Sequence, residues 1–396
     1  MVKKSLIVIG LGYGDEGKGI TTDFLCQKYP NSIVVRFNGG HQAGHTVYTS
    51  SNTHHVFSSF GSGTLRGITT YWSSYCTFSP IHFLDELRSL IKEPQIYIDN
   101  NCAITTHYDV LYNRALESSR DLNRNGSCGV GFGATVDRQK SGTISLKFLD
   151  LLGPEEILKK KLAQIRAYYR LKVNIETNYN FDNFNNDSED KVFFDAIAQI
   201  KNLLGRIIYA TEEHEIFRNH NQWNNFIFEG AQGILLDQNY GKSPNITKSN
   251  TTSKNALEML RRQEVTCDIE IYYVSRAYHT RHGAGKFRDQ GSLQLVKNET
   301  ETNKYNPYQQ DFKVAYLDID LLNYALECDN KHSLGISKYL VLTCVDHLIE
   351  NVVLCYLADE LNQITYDELP KHLKCNFKEI FISRSVHSEN FTILRK

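Results

Sequence analysis

The stretch that most constrains this chain is Leu6–Lys28, LIVIGLGYGDEGKGITTDFLCQK. It reads as a short apolar strand, a glycine-rich turn, and a helix whose apolar positions are Ile20, Phe24 and Leu25. Strand, loop and helix in that order are the setting of a phosphate cradle. Backbone N–H groups at Gly14 to Gly19 can point at an anion, with Lys18 as a point charge beside them. Gly12, Gly17 and Lys18 fit the P-loop spacing G-x-x-x-x-G-K, but the next position is Gly19, where a P-loop has Ser or Thr to hold magnesium. Two acids, Asp15 and Glu16, stand where phosphates would lie. A plainer alternative is a glycine-rich turn with a surface acid pair.

Other segments extend the α/β pattern. Ser32–Phe37, Tyr97–Ile98, Asn225–Phe228 and Ile269–Tyr278 read as strands. Tyr339–Thr343 and Val352–Tyr356 read as a strand pair, and Ile380–Ile382 as the last strand. Ser79-Pro80 opens a helix through about Ile91, and Leu111–Arg120 is helical. The polar run Asn178–Asp190 has no period and reads as a surface loop. With no repeat and no linker, residues 1–396 are expected to form a single large domain around a mostly parallel central sheet, with an insertion at about 176–191. The chain carries 44 basic and 45 acidic side chains, a balance that argues against binding nucleic acid or a membrane surface by bulk charge. It lacks an apolar run of about 18 residues. Its nine cysteines form no C-x-x-C pair, and Met1–Ser5 leads straight into a strand, so a cytoplasmic protein with reduced thiols is expected.

Three further stretches carry candidate chemistry. RFNGGHQAGHT (Arg36–Thr46) places His41 and His45 four apart, but its glycines disfavour the helix that a zinc pair would need. A loop histidine acting as acid or base fits better, and a structural role suits His41 more than His45. FEGAQG (Phe228–Gly233) puts Gln232 at the C-terminal edge of a strand, where α/β sheets bind ligands. Its amide can both donate and accept toward a base. TKSNTT (Thr247–Thr252) offers hydroxyls and N–H groups to a phosphate.

Together these stretches resemble the adenylosuccinate synthetase family. The motifs are GDEGKG at Gly14–Gly19, GGHQAGHT at Gly39–Thr46, SCGVGFG at Ser127–Gly133, FEGAQG at Phe228–Gly233, KSNTT at Lys248–Thr252 and HTRHGAGKF at His279–Phe287, in collinear order. The resemblance implies a ligase that uses GTP to phosphorylate O6 of IMP, or of a relative such as dIMP, and then joins an amine, by default aspartate. It implies Asp15 as the base that takes the N1 proton and as a Mg²⁺ ligand, with the Gly44 carbonyl as a second metal contact. His45 and Lys18 would act on the transferred phosphoryl group. Gln232, Thr247, Ser127, Cys128, Asn38 and Gln42 would hold the purine nucleotide. Gly14, Glu16, Gly17, Gly19, Asp346, Ser383 and Ser385 would hold GTP. A homodimer is implied as well.

The sequence also departs from the family. A lysine expected two residues before Asp346 is Cys344, and the threonine and arginine of a TTGRG motif are replaced by Cys128 and Val130. An arginine lent by the neighbouring subunit falls near Gly142, with Arg138 and Lys140 as candidate substitutes. An arginine-rich aspartate loop has become Tyr308–Lys313, leaving Lys313, with Arg281, Arg276 and Arg288 as candidates to rebuild the clamp. Two other readings stay open: a paralogue that uses a different amine or water, and a nucleotide-binding regulator without catalysis. Retention of Asp15 beside the purine favours a substrate with no 2-amino group.

Overall fold

Ten strands form the central sheet, in the spatial order Thr392–Ile393, Ile380–Ile382, Ser337–Thr343, Asp268–Arg276, Lys4–Gly10, Asn225–Gly233, Ser32–Arg36, Thr69–Trp72, Ile96–Asp99 and Ile208–Thr211. Every neighbouring pair is parallel except the last two strands of the chain, which are antiparallel. The computed structural model describes residues 4–394, apart from 52, 143, 219–221, 290–292, 297–300, 304 and 310. Met1 to Lys3 and Gln310 therefore lie outside the described residues.

The strands are apolar on both faces because both are covered. Ile7, Ile9, Ile33 and Val35 pack with Met259, Leu260, Leu322 and Ala325 of the helices Lys254–Arg262 and Ile319–Ser333. The alternate residues Leu6, Val8 and Val34 pack on Leu25 and Cys26 of the helix Lys18–Lys28. A second apolar cluster joins the Ile96–Asp99 strand to the helices Pro80–Ser89, Glu155–Glu176 and Asn186–Leu203. In the long helix Leu158, Leu162, Ile165, Tyr169 and Val173 are the buried residues, spaced three and four apart along one stripe.

Lys4–Gly10 lies mid-sheet. The chain leaves it toward Ser32–Arg36 and the Ile208–Thr211 edge, returns to Asn225–Gly233, then continues to Asp268–Arg276 and the opposite edge. The direction of winding thus reverses around the first strand, and the crevice beyond its C-terminal end is the expected ligand site of an open α/β sheet.

Three expectations need correction. Val352–Leu357 does not pair with Ser337–Thr343; it forms a separate three-stranded sheet with Leu317–Asp318 and Glu360–Thr365. Ile380–Ile382 is followed by Thr392–Ile393, a two-residue strand too short for a periodic signal. The run taken as a loop over Asn178–Asp190 already contains the start of the helix Asn186–Leu203, where Asn185 Oδ1 accepts from Ser188 N. A polar first turn hides a helix start from apolar periodicity.

Candidate active site

The glycine-rich loop owes its shape to its neighbours. Three successive carbonyls are bonded by side chains from the adjoining strands and turns: Gly14 O by Thr280 Oγ1 at 3.0 Å, Asp15 O by Arg276 Nε at 2.6 Å, and Glu16 O by Thr343 Oγ1 at 2.7 Å. Gly14, Asp15 and Gly17 all adopt positive φ (105°, 61° and 91°). For Asp15 this is uncommon in a non-glycine residue.

The two acids then diverge. Glu16 turns inward: Oε1 accepts from Gly12 N and Gly14 N, both at 2.9 Å, and Oε2 pairs with Lys18 Nζ at 2.6 Å. Its side chain is 4% exposed. These bonds occupy the Glu16 carboxylate as an internal brace, while the residue still lines the cavity. Asp15 stays 22% exposed, and its nearest ion-pair partner is His282 Nε2 at 3.7 Å. Burial raises its carboxyl above the usual range, and His282, Arg276 and Lys18 only partly offset this.

Gln232 reaches the cavity through a defect in the sheet. The register between Lys4–Gly10 and Asn225–Gly233 runs Val8↔Glu229 and then Gly10↔Gly233, so the second strand bulges there. Gln232 takes φ 64°, and its Oε1 is buried without a partner. Asn38 staples the bulge: Oδ1 accepts from Ala231 N at 2.8 Å and Nδ2 donates to Ala231 O at 3.0 Å. Asn38 is fully buried, so it supports the site instead of touching substrate, which corrects that expectation.

His45 opens the short hairpin strand His45–Tyr48. Its Nδ1 is 2.8 Å from Glu229 Oε1. The same carboxylate accepts from Ser62 N at 3.1 Å and from Ser62 Oγ, with Arg36 Nη1 3.9 Å away. Burial would raise Glu229, but His45, Arg36 and Ser62 outweigh it and hold the carboxyl below its usual range. Burial pushes the His45 imidazole down, more than Glu229 lifts it. The bond to Glu229 engages Nδ1 and leaves Nε2 as the nitrogen available to a ligand. Gly19 is required here because a Cβ would lie 2.9 Å from His45 Cβ. His41 is buried and packs at a tilt against His82 with ring centroids 4.3 Å apart, and burial lowers its pKa to about 3.

One cavity of about 740 Å³ unites these groups. Its lining includes Asp15, Lys18, Gln42, Gly44, His45, Ser127, Cys128, Gln232, Thr247, Arg281, Asp346, Ser383 and Ser385. Burial pushes the Cys128 thiol up to about 11, so it is a neutral wall of the site. Sequence reading missed Glu229, although it lies inside the quoted FEGAQG; a buried acid on a strand was the available signal. It also gave no role to Lys248, His282 and Glu301, which line the cavity.

Lys313 is not a free cation: its Nζ donates to the carbonyls of Gly283 and Gly285 and fixes the preceding turn. Arg288 pairs with Asp359 at 2.8 Å outside the site. Arg138 is fully buried in its own chain, bonded to Asp109 at 2.9 and 3.0 Å and to the carbonyls of Ile104 and Ile144. It cannot reach into a neighbour's site.

A glycine-rich strand-to-helix loop with a half-buried carboxylate, a carboxylate-held histidine and a glutamine amide with an unpartnered oxygen, all around one crevice, suits a nucleotide-dependent phosphoryl-transfer enzyme of the open-sheet α/β class. The family model described as adenylosuccinate synthetase matches residues 7–381, and the chain belongs to that family of GTP-dependent ligases. It is 30% identical over 391 residues to the adenylosuccinate synthetase of Thermoplasma acidophilum, covering 92% of this chain and 85% of the relative. It is 28% identical over 383 residues to that of Thermoplasma volcanium, covering 93% and 82%. The fully ligated Plasmodium falciparum adenylosuccinate synthetase superposes with a TM-score of 0.76 at 18% identity, over 98% of this chain and 99% of that one. A cyanophage S-2L succinoaminodeoxyadenylate synthetase, bound to dGMP and dATP, superposes with a TM-score of 0.63 at 11% identity, over 100% and 97%.

Proposed function

We propose that this chain joins aspartate to IMP, or to dIMP, at the expense of GTP. The observation that carries the reading is the pairing of Asp15, turned outward from a phosphate loop, with His45 held by Glu229 in the same cavity. The O6 of a 6-oxopurine is a poor nucleophile while N1 keeps its proton. Asp15 takes that proton, O6 forms a bond to the γ-phosphorus, and the bond to GDP breaks. The amine then attacks C6, the C6–O6 bond breaks and phosphate leaves. His45 stabilises the phosphoryl group through Nε2, and Gln232 holds the base. Thr247, Ser127 and Gln42 would hold the nucleotide phosphate, and Asp346, Ser383 and Ser385 would hold GTP; all six line the cavity.

Mg²⁺ fits this donor set, because the ion commonly takes one or two carboxylates together with substrate phosphates. The Asp15 carboxylate and the Gly44 carbonyl would hold it, and when bound it supplies charge neutralisation to the phosphates.

Among the described residues no helix is long and apolar enough to cross a membrane; with nine unpaired cysteines, we place the enzyme in the cytoplasm. We take 1–396 as one functional unit and infer a homodimer from the family. Sedimentation at micromolar concentration reads the assembly, and a monomer with full activity overturns that part.

The test of the reaction is phosphate release from GTP, Mg²⁺ and IMP with and without aspartate. Release that needs aspartate, with adenylosuccinate formed, is expected. Release without any amine product, or none at all, overturns the reading.

A further inference from the structure

The cations that line the cavity are Lys18, Arg120, Lys248, Arg276 and Arg281. Four are committed. Lys18 pairs with Glu16 at 2.6 Å, Arg120 with Glu117 at 2.8 Å, and Arg276 with Glu301 at 2.8 Å. Arg281 donates to Asn245 O at 3.2 Å and lies over the Tyr13 ring, 4.3 Å from its centroid. Lys248 differs. Its partner is Asp137 Oδ1 at 3.4 Å, and both side chains are 50% exposed. A pair this open to water holds its members weakly.

Its surroundings are built for an anion. Lys248 directly follows Thr247, and its stem lies over Gly133, where a Cβ would meet Lys248 Cγ at 3.5 Å. Gly133 belongs to the first turn of the helix Phe132–Lys140, whose leading amides have no partner within the helix. Ser127, Cys128 and Gln42 line the same cavity, and both polar atoms of the Gln42 amide are buried without a partner.

We propose that Lys248 binds the 5′-phosphate of the purine nucleotide, so that the phosphate subsite carries its own cation within one chain. This rests on the reading of the cavity as a purine-nucleotide site. The phosphate competes with Asp137 for the ammonium group. Loss of Lys248 therefore weakens the nucleotide, whereas loss of the Asp137 charge strengthens it. A lysine that merely braced Asp137 would give the same sign for both changes.

The experiment is calorimetric titration of IMP, and separately of GTP, into wild type, Lys248→Met, Lys248→Arg and Asp137→Asn, with thermal melting of each. A charge-assisted contact of this kind corresponds to about 10–100-fold in affinity. Lys248→Met is expected to weaken IMP by that factor and leave GTP unmoved. Lys248→Arg is expected to restore most of the affinity, and Asp137→Asn to bind IMP at least as tightly as wild type. Lys248→Met within two-fold of wild type for IMP overturns the proposal. So does an equal loss of GTP affinity, an arginine variant no better than methionine, or Asp137→Asn weakening IMP as Lys248→Met does. Wild type that binds GTP but not IMP overturns instead the purine-nucleotide reading on which the proposal stands.

Discussion

Glu229→Gln tests the role proposed for His45 at the transferred phosphoryl group without touching the histidine itself. The wild-type carboxylate is fully buried, 2.8 Å from His45 Nδ1, and also takes two bonds from Ser62. The amide keeps the shape and can still accept from Ser62, but it removes the charge that supports an imidazolium. A hydrogen bond to a charged group is worth about 1.5–3 kcal/mol, and about 1.4 kcal/mol is tenfold in rate. Since the cation matters most when phosphoryl charge develops, kcat should fall about 10–100-fold while KM for both nucleotides changes little. The pH profile gives a second reading. With His45 in the proposed role of proton donor, activity is expected to fall as pH rises through its pKa in the complex. Without Glu229 that pKa drops, and the alkaline limb of kcat moves to lower pH. Stability changes too. The native Glu229 pKa is depressed, so its stabilisation is present above the unfolded value of about 4.3 and is lost as pH falls through the native one. The melting temperatures of wild type and variant should therefore converge on acidification. Steady-state kinetics and melts from acid to alkaline pH check all of this. A variant with kcat within two-fold of wild type and an unmoved alkaline limb would refute the reasoning.

Other outcomes follow from the same geometry. Asp15→Asn should abolish turnover yet keep nucleotide binding by calorimetry, because an amide cannot take the N1 proton. In wild type the Asp15 pKa is raised by burial, so kcat/KM should fall on acidification through a point above the ordinary aspartate value of about 3.9. His45→Ala should lower kcat by about 10²-fold or more, and a loss of only a few-fold would return the residue to a structural role. Glu301 pairs with Arg276 at 2.8 Å in the cavity wall, so if Arg276 is the aspartate clamp, aspartate competes with a resident carboxylate. Glu301→Gln should therefore lower the KM for aspartate, and a raised KM would show that Glu301 positions the amine instead. IMP should be used more efficiently than GMP, since a 2-amino group would crowd Asp15; the ratio of kcat/KM values decides it.

The parts of this fold that could be read from sequence are those whose pattern is local. The first strand, its loop and the helix Lys18–Lys28 share one continuous signal, and the helix carries the expected Ile20, Phe24 and Leu25. Strand partners were not readable in that way. Val352–Leu357 has the same apolar texture as Ser337–Thr343, and only tertiary packing assigns it to a different sheet. The site shows the same division. Asp15, His45 and Gln232 stand in distinctive motifs, and the structure brings them into one cavity. The inward turn of Glu16 depends on amides two and four residues before it, and on where Lys18 lands. The loss of Asn38 and Arg138 to internal bonds depends on partners far away in the chain. Residue type alone could not separate a ligand contact from a brace.

The opposite fates of the two neighbouring acids bear on how such a loop can change over time. Glu16 ties together three points of the turn, so replacing it alters the shape of everything that follows. Asp15 contributes its backbone carbonyl to that shape through Arg276, but its carboxylate takes no part. Position 15 can therefore exchange its side chain while the turn persists, provided the newcomer tolerates φ 61°; glycine and asparagine do so most readily. A single substitution at position 15 thus changes the chemistry that the loop offers without rebuilding the loop. Innovation at position 16 requires compensating changes at several sites at once.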